Sequence, residues 1–168
     1  MSEVRQVARR PITAGDCKKG TFVIMKNRPV KLIEIKTSKT GKHGHAKCNM
    51  TGTCVLTENK VNDVFPASAN LVAFTLDKEQ FLVTDVDESS HSIEVLTADN
   101  DSLTFRYFPD KENCKGAEAV AAHKARIESK KDDDKGIYIS VIRAPVEIGE
   151  NEFKDEELIE SFNEAKVE

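Results

Sequence analysis

Three lysines, two histidines and two glycines crowd into TSKTGKHGHAK at residues 37–47, where no apolar side chain is larger than Ala46. A core has no use for such a run, so its chemistry must lie in being reached, held or altered. Phosphate binding is one option, since Gly41-Lys42 resembles the end of a nucleotide-binding loop whose amides cradle phosphates. Lys36 stands where that pattern needs its first glycine, His43 replaces the hydroxyl residue that would hold magnesium, and strand rather than helix follows. Metal binding is a second option, because His43 and His45 are two apart and an extended backbone points both imidazoles the same way. A third ligand is missing nearby, and the surrounding lysines repel a cation. The last option is a presented lysine. Gly41 and Gly44 flank Lys42-His43 and supply the dihedral freedom of a tight hairpin tip. Lys42 at such an apex can probe RNA electrostatically or serve as substrate for another enzyme. A plain solvated loop competes equally with these uses.

The elements that must hold this loop are legible in part. The chain has 168 residues, 39% hydrophobic and 32% charged, with 6% aromatic and no Trp. This suits one large or two small domains with modest cores. The net charge of -4 hides a split: residues 1–75 hold 13 Lys+Arg against 5 Asp+Glu, and the remainder 12 against 24. A basic front half is the candidate for a phosphate backbone. Cys17, Cys48, Cys54 and Cys114 form no CxxC pair, which argues against a zinc ribbon or a dithiol redox motif. The polar start MSEVRQVARR is no signal core, and no apolar run approaches the ~20 residues that cross a bilayer. Free thiols in a reducing, cytoplasmic setting are the expectation.

In front, GTFVIMKNRPVKLIEIKT reads as two strands about a turn at Lys26-Asn27-Arg28-Pro29, with a change of face at Leu32/Ile33 that signals a bulge. Ala46, Cys48 and Met50 alternate with Lys47, Asn49 and Thr51, Gly52 interrupts, and Cys54-Val55-Leu56 continues the strand after a kink. Phe65–Asn70 has the composition of a connection before the strand LVAFT. Behind a boundary near residue 75, runs at 81–86, 93–95 and 103–107 alternate at hairpin spacing. Phe105 and Tyr107 share a face with Leu103 and read as core rather than a stacking platform. GAEAVAAHKARIESK is helical, with Ala117, Val120, Ala121 and Ile127 on one face and a stop at Asp132–Gly136. A strand at Ile137–Ile142 follows, and a fifth near Val146–Ile148 would complete an OB-type order. The acidic tail is expected to carry a short helix at Glu156–Ala165 or stay mobile.

The eleven-residue run resembles, unbroken, the signature loop of the hypusine-containing eukaryotic translation factor 5A family, which has an archaeal counterpart and a bacterial relative, elongation factor P. The resemblance extends through Lys18-Lys19-Gly20, Asn27-Arg28-Pro29, the following Val-Lys-Leu-Ile-Glu and Pro66–Asn70. It implies a mainly β protein of two small barrels: an SH3-like domain over 1–75 carrying the loop, and an OB-fold with one helix over 76–168. It implies a factor that is not an enzyme and binds no cofactor. Lys42 matches the lysine that deoxyhypusine synthase extends with the aminobutyl group of spermidine and deoxyhypusine hydroxylase then hydroxylates. Lys39, Gly41, Gly44 and Lys47 match positions used in recognition by the modifying enzyme. Lys39, Lys42, His43, His45 and Lys47 become the tRNA and rRNA contacts, with His43 helping to position the tip.

By the same resemblance, the factor enters the ribosome near the exit site and the arm on Lys42 reaches the acceptor end of the peptidyl-tRNA. Relief of slow peptide-bond formation, notably at proline runs, and support of termination follow. The resemblance places the protein in the cytoplasm on the ribosome, with a nuclear fraction and a homodimer both compatible, and no membrane partner. Ala67 and Ala69 depart from the family's hydroxyl and imidazole side chains, and Lys130–Lys135 and the tail after Glu150 are unusually acidic. The acidic back barrel is expected to dock on ribosomal protein or to orient through a limited basic edge. Two rival readings are an unmodified two-barrel RNA adaptor and a metal hydrolase built on His43 and His45.

Overall fold

A computed structural model describes residues 7–39, 46–108, 115–129 and 134–167. The described residues are mainly β, with two separate sheets and one α-helix among them. It divides into two compact units, one of residues 7–77 with Arg143–Glu156, the other of Lys78–Ile142 with 157–167. The sequence-derived boundary near 75 lies close to Asp77, whereas 143–156, grouped by sequence with the back domain, is counted with the front unit.

The front sheet contains β1 (Arg9–Thr13), β2 (Phe22–Met25), β3 (Arg28–Ser38), β4 (Lys47–Cys54), β5 (Lys60–Pro66) and β6 (Asn70–Phe74), in the order β1-β6-β2-β3-β4-β5. Alternation drives its assembly. Cys48, Met50 and Cys54 turn inward on β4 to join Val23, Met25, Val30 and Leu32, while Lys47 and Asn49 face out. The β2–β3 turn is tighter than expected. Only Lys26 and Asn27 form it, both at positive φ (49° and 66°), and Arg28 and Pro29 already pair with Met25 and Ile24. Two left-handed residues match the twist of a two-residue hairpin.

The expected bulge is present. The β3–β4 register steps from Leu32↔Gly52 to Glu34↔Thr51, leaving Ile33 as the extra residue and 45% exposed. Gly52 does not break β4, contrary to expectation, and the strand ends at Cys54 before Val55–Leu56 turn away. Gly52 is needed for close approach instead: a Cβ there would lie 2.3 Å from Val30 Cγ1 and 2.5 Å from the Lys31 carbonyl oxygen. The outer edge at β1 is guarded. Val7 N–H donates to Asp155 Oδ2 at 2.9 Å, Arg9 stacks 4.3 Å over the Phe153 ring, and Pro11 has no N–H to offer.

The back sheet holds β7 (Asp77–Asp87), β8 (Ser92–Leu96), β9 (Ser102–Arg106), β10 (Lys135–Gly149) and β11 (Glu152–Lys166), ordered β11-β10-β7-β8-β9. Phe81, Val83, Ile93, Val95, Phe105 and Tyr107 line its core, so the two aromatics are core residues as read from sequence. The helix α1 (Lys115–Glu128) closes the unit. Gly116 lies so near Tyr107, just after β9, and Ile159 of β11 that an added Cβ would fall 2.3 Å from Tyr107 Cβ and 3.2 Å from Ile159 Cδ1.

Three expectations for the back half are corrected. The buried helix face is Gly116, Ala119, Val120 and His123, whereas Ala121 is exposed and Ile127 is 62% exposed. Small residues let the first two turns approach closely, and the bulk of Ile127 misled the phase. Val146–Ile148 is not a separate fifth strand but the far end of β10. The fifth strand is β11, where a helix or mobile tail was expected. Pairing along β10 and burial of Ile159 with Phe162 override the helical leaning of a Glu-rich segment. The acidic stop at Asp132 and Asp133 lies outside the described residues, and α1 ends earlier, where Ser129 Oγ donates to the Arg126 carbonyl at 2.8 Å.

Candidate functional site

The long β3–β4 hairpin carries the signature run. Its last pair is Ser38↔Lys47, so residues 39–46 connect the ends of two adjacent antiparallel strands. Lys39 and Lys47 are both exposed at the base of that connection. Gly41, Lys42, His43, Gly44 and His45 lie outside the described residues, so the structure brings together only the two flanking lysines of the predicted set. Among the described residues, no group of three His, Cys, Asp or Glu side chains could hold a metal ion.

Backbone hydrogen bonds brace the hairpin base. Ala67 N–H donates to the Ala46 carbonyl at 2.8 Å, tying the 66–70 connection to the start of β4. On its other side, the amides of Ala14 and Gly15 donate to the carbonyls of Ala69 and Ala67, each at 2.9 Å. The methyls of Ala67 and Ala69, the departures noted from the family pattern, pack against the front core. Gly15 leaves room for this contact, since a Cβ there would sit 3.1 Å from the Ala67 carbonyl oxygen.

Register places four cross-strand rows on the outer face of β3, β4 and β5. They are Lys31–Thr53–Lys60, Glu34–Thr51–Asn62, Lys36–Asn49–Val64 and Ser38–Lys47–Pro66. Asn62 Nδ2 ties the centre together, donating to Asn49 Oδ1 at 2.8 Å, Thr51 Oγ1 at 2.7 Å and the Met50 carbonyl at 3.2 Å. Glu34 is the face's one carboxylate and lies 3.5 Å from Lys36 Nζ, an exposed pair worth less than about 1 kcal/mol. Lys31, Lys36 and Lys60 were not singled out by sequence as contact residues. For Lys31 and Lys36 the signal was present in the parity of β3, but it reads correctly only once Ile33 is removed from the count; Lys60 joins them through the register of β5.

Beneath the hairpin lie the free thiols Cys17 and Cys48, with Cys54 farther along β4; Cys114 falls outside the described residues. Burial, with the nearby Cys48 and Asp16, pushes the Cys17 thiol up against a smaller opposing effect of Arg10. Burial also acts to raise Cys54, but hydrogen bonds from Thr57, Leu56 and Arg28 outweigh it and hold that thiol below its ordinary value.

Comparison with known proteins agrees with this architecture. Residues 8–69 match the family described as translation initiation factor 5A-like, N-terminal. The chain is similar to eukaryotic translation initiation factor 5A-1 of Arabidopsis thaliana, 31% identical over 145 residues that cover 86% of this chain and 85% of the relative. It is 34% identical to eukaryotic translation initiation factor 5A of Zea mays over 122 residues, 73% of this chain and 72% of the relative. Among solved structures, a translation initiation factor 5A family protein from Naegleria fowleri superposes with a TM-score of 0.66 at 29% identity, covering 81% of this chain and 91% of that one. The factor from Methanococcus jannaschii shares the fold, with a TM-score of 0.53 at 18% identity over 95% and 94% of the two chains. The two-sheet fold, the signature hairpin and these likenesses agree: the chain belongs to the eukaryotic translation initiation factor 5A family of translation factors.

Proposed function

We propose that this chain is a ribosome-binding elongation factor whose Lys42 is converted to hypusine. The modified arm reaches the acceptor end of the peptidyl-tRNA and speeds peptide-bond formation at slow sequences such as proline runs, and at termination. The observation that carries the reading is the hairpin itself. Residues 39–46 of the signature run connect two paired strand ends, braced at Ala46 by Ala67, with Lys39 and Lys47 exposed at the base. Anchors of this kind fix where an added arm starts, which is what positioning a bound reactant requires.

The modification lengthens one ammonium side chain into an arm with a secondary and a primary amine and a hydroxyl. Two spaced cations and added donors suit a sugar–phosphate backbone, and such contacts need no base sequence. Lys39, Gly41, Gly44 and Lys47 serve recognition by deoxyhypusine synthase. Lys39, His43, His45 and Lys47 flank the arm on RNA, with His43 steadying the tip. The factor performs no covalent step, holds no cofactor and acts by orienting the ribosome's own reactants near the exit site. Deoxyhypusine hydroxylase completes the modification. Peptide mass spectrometry across Lys42, on protein from its native cell, tests the reading. The mass of an aminobutyl group plus one oxygen is the expected result. Unmodified Lys42 in growing cells would overturn it in favour of an RNA adaptor.

A further inference from the structure

We propose that the outer face of β3, β4 and β5 is a seat for an RNA sugar–phosphate backbone that runs toward the signature loop. The inference rests on the reading of the chain as an RNA-contacting translation factor and names a surface outside the loop. Four lysines occupy the rows of this face, Lys31 and Lys60 at one end, Lys36 within and Lys47 at the loop end, against the single carboxylate of Glu34. All four lysines are exposed. Neighbouring strands lie about 4.8 Å apart and residues rise about 3.4 Å, so Lys31 and Lys60 stand roughly 10 Å apart and about 20 Å from the Lys47 row. That span suits several consecutive phosphates rather than one small anion.

The rest of the face fits a polynucleotide better than an acidic protein. Asn49, Thr51 and Asn62 form a hydrogen-bonded patch between the charged rows, with hydroxyl and amide groups suited to ribose and phosphate oxygens. Val64, 51% exposed, and Pro66 beside Lys47 give apolar surface for sugar packing. Half-buried Phe22 extends the Lys31 row, with Lys31 Nζ 6.0 Å from its ring centroid. Charge complementarity and a mixed polar and apolar floor together select the RNA backbone, without base readout.

Fluorescence anisotropy of the full chain with labelled single-stranded polyuridine of about 20 nucleotides, across a potassium chloride series, measures the surface. Each lysine neutralised on a single strand contributes about 0.7 to the slope of log affinity against log salt. The variant carrying Lys31→Ala, Lys36→Ala and Lys60→Ala is expected to lose about 2 from that slope, with affinity down at least about tenfold at low salt. A charge-matched variant, Lys18→Ala with Lys19→Ala and Lys26→Ala, alters residues off these rows and should lose less than half as much. Equal losses in both variants would overturn the proposal, since net charge alone would then explain binding. It would also fall if RNA binding survives in the first variant while ribosome association is lost, because that marks a protein contact. Unchanged denaturant midpoints exclude misfolding. The measurement uses chain with unmodified Lys42, so its outcome is separate from the test of hypusine.

Discussion

The two sheets build their interiors alike and their outer faces oppositely. In front, the row Lys31–Thr53–Lys60 sets two cations across one strand. In the back unit, the corresponding three-strand face pairs Asp85 directly with Glu94 and runs through Asp87–Ser92–Arg106. Its aromatics, Phe81 and Phe105, stack inside the barrel with ring centroids 5.1 Å apart rather than on the surface. A barrel type that often binds nucleic acid thus presents rows on this face that carry Asp85, Asp87 and Glu94 against Arg106 and include no aromatic residue. The difference teaches that the fold type alone does not set the character of an outer face in this molecule; strand parity and the residues riding on it do.

The sharpest way to break this comparison is Lys42→Arg, which keeps the charge of the basic unit but removes the amine that the proposed modification would extend. Support of a proline-run translation reporter should fall by about tenfold or more, at least ~1.4 kcal/mol in effective barrier. Undiminished support would show that charge on the front unit suffices. The next effect is on stability. Gly52→Ala forces a Cβ to 2.3 Å from Val30 Cγ1 and 2.5 Å from the Lys31 carbonyl oxygen, so the front unit should lose about 3 kcal/mol in denaturant titration. Gly20→Ala, where φ is +93° but no atom lies within 4 Å of the new Cβ, should cost only about 1 kcal/mol.

A smaller effect belongs to the back unit alone. His123 is buried, and neither ring nitrogen has a hydrogen-bond partner among the described residues. Burial holds its imidazole below the ordinary value, with Asp85 opposing and Arg126 assisting. The unfolded chain therefore binds the proton more readily, and stability is lost as the pH falls through the unfolded value of about 6.5. His123→Leu should remove that loss, so the drop in unfolding temperature between pH 7 and pH 5 becomes smaller, as read by thermal unfolding at both pH values. Smallest of all, Glu94→Gln keeps the acceptor for Ser102 while removing a charge opposite Asp85. It should stabilise the back unit by about 0.5 kcal/mol at low salt and by nothing at high salt.

Where side chains alternate cleanly against one core, the sequence was readable. Cys48 and Met50 against Lys47 and Asn49, or Ile93 and Val95 against Glu94, report their strand directly. The bulge at Ile33 was visible as two apolar residues in succession. The signature run was matched to its family from sequence, and its ends, 37–39 and 46–47, lie among the described residues. Less was legible where neighbours far along the chain decide. Glu152–Lys166 becomes a strand because β10 supplies its partner, and no local signal in EFKDEELIESFNEAK announces this. The α1 face was misread because Gly116 and Ala119 matter for their smallness, which a search for bulky apolar residues overlooks.

The extra residue at Ile33 gives β3 a reading frame. From Glu34, just past the bulge, to the last pair at Ser38 there are five residues, and that odd count delivers Glu34, Lys36 and Ser38 to one side and Ile35 to the other. Had β3 run on from Leu32 without slipping, Ile35 would face water and Lys36 would point at Met50 and Cys48. Length changes in this hairpin are therefore not equivalent. Residues added in pairs on each strand move the loop outward and leave its orientation intact. A single insertion between Glu34 and Ser38 shifts the phase, turning one anchor of the loop to the opposite side of the sheet from the other. Deleting Ile33 itself restores plain alternation with every later residue still on its present side, so the one position that looks irregular is the one whose loss the frame tolerates.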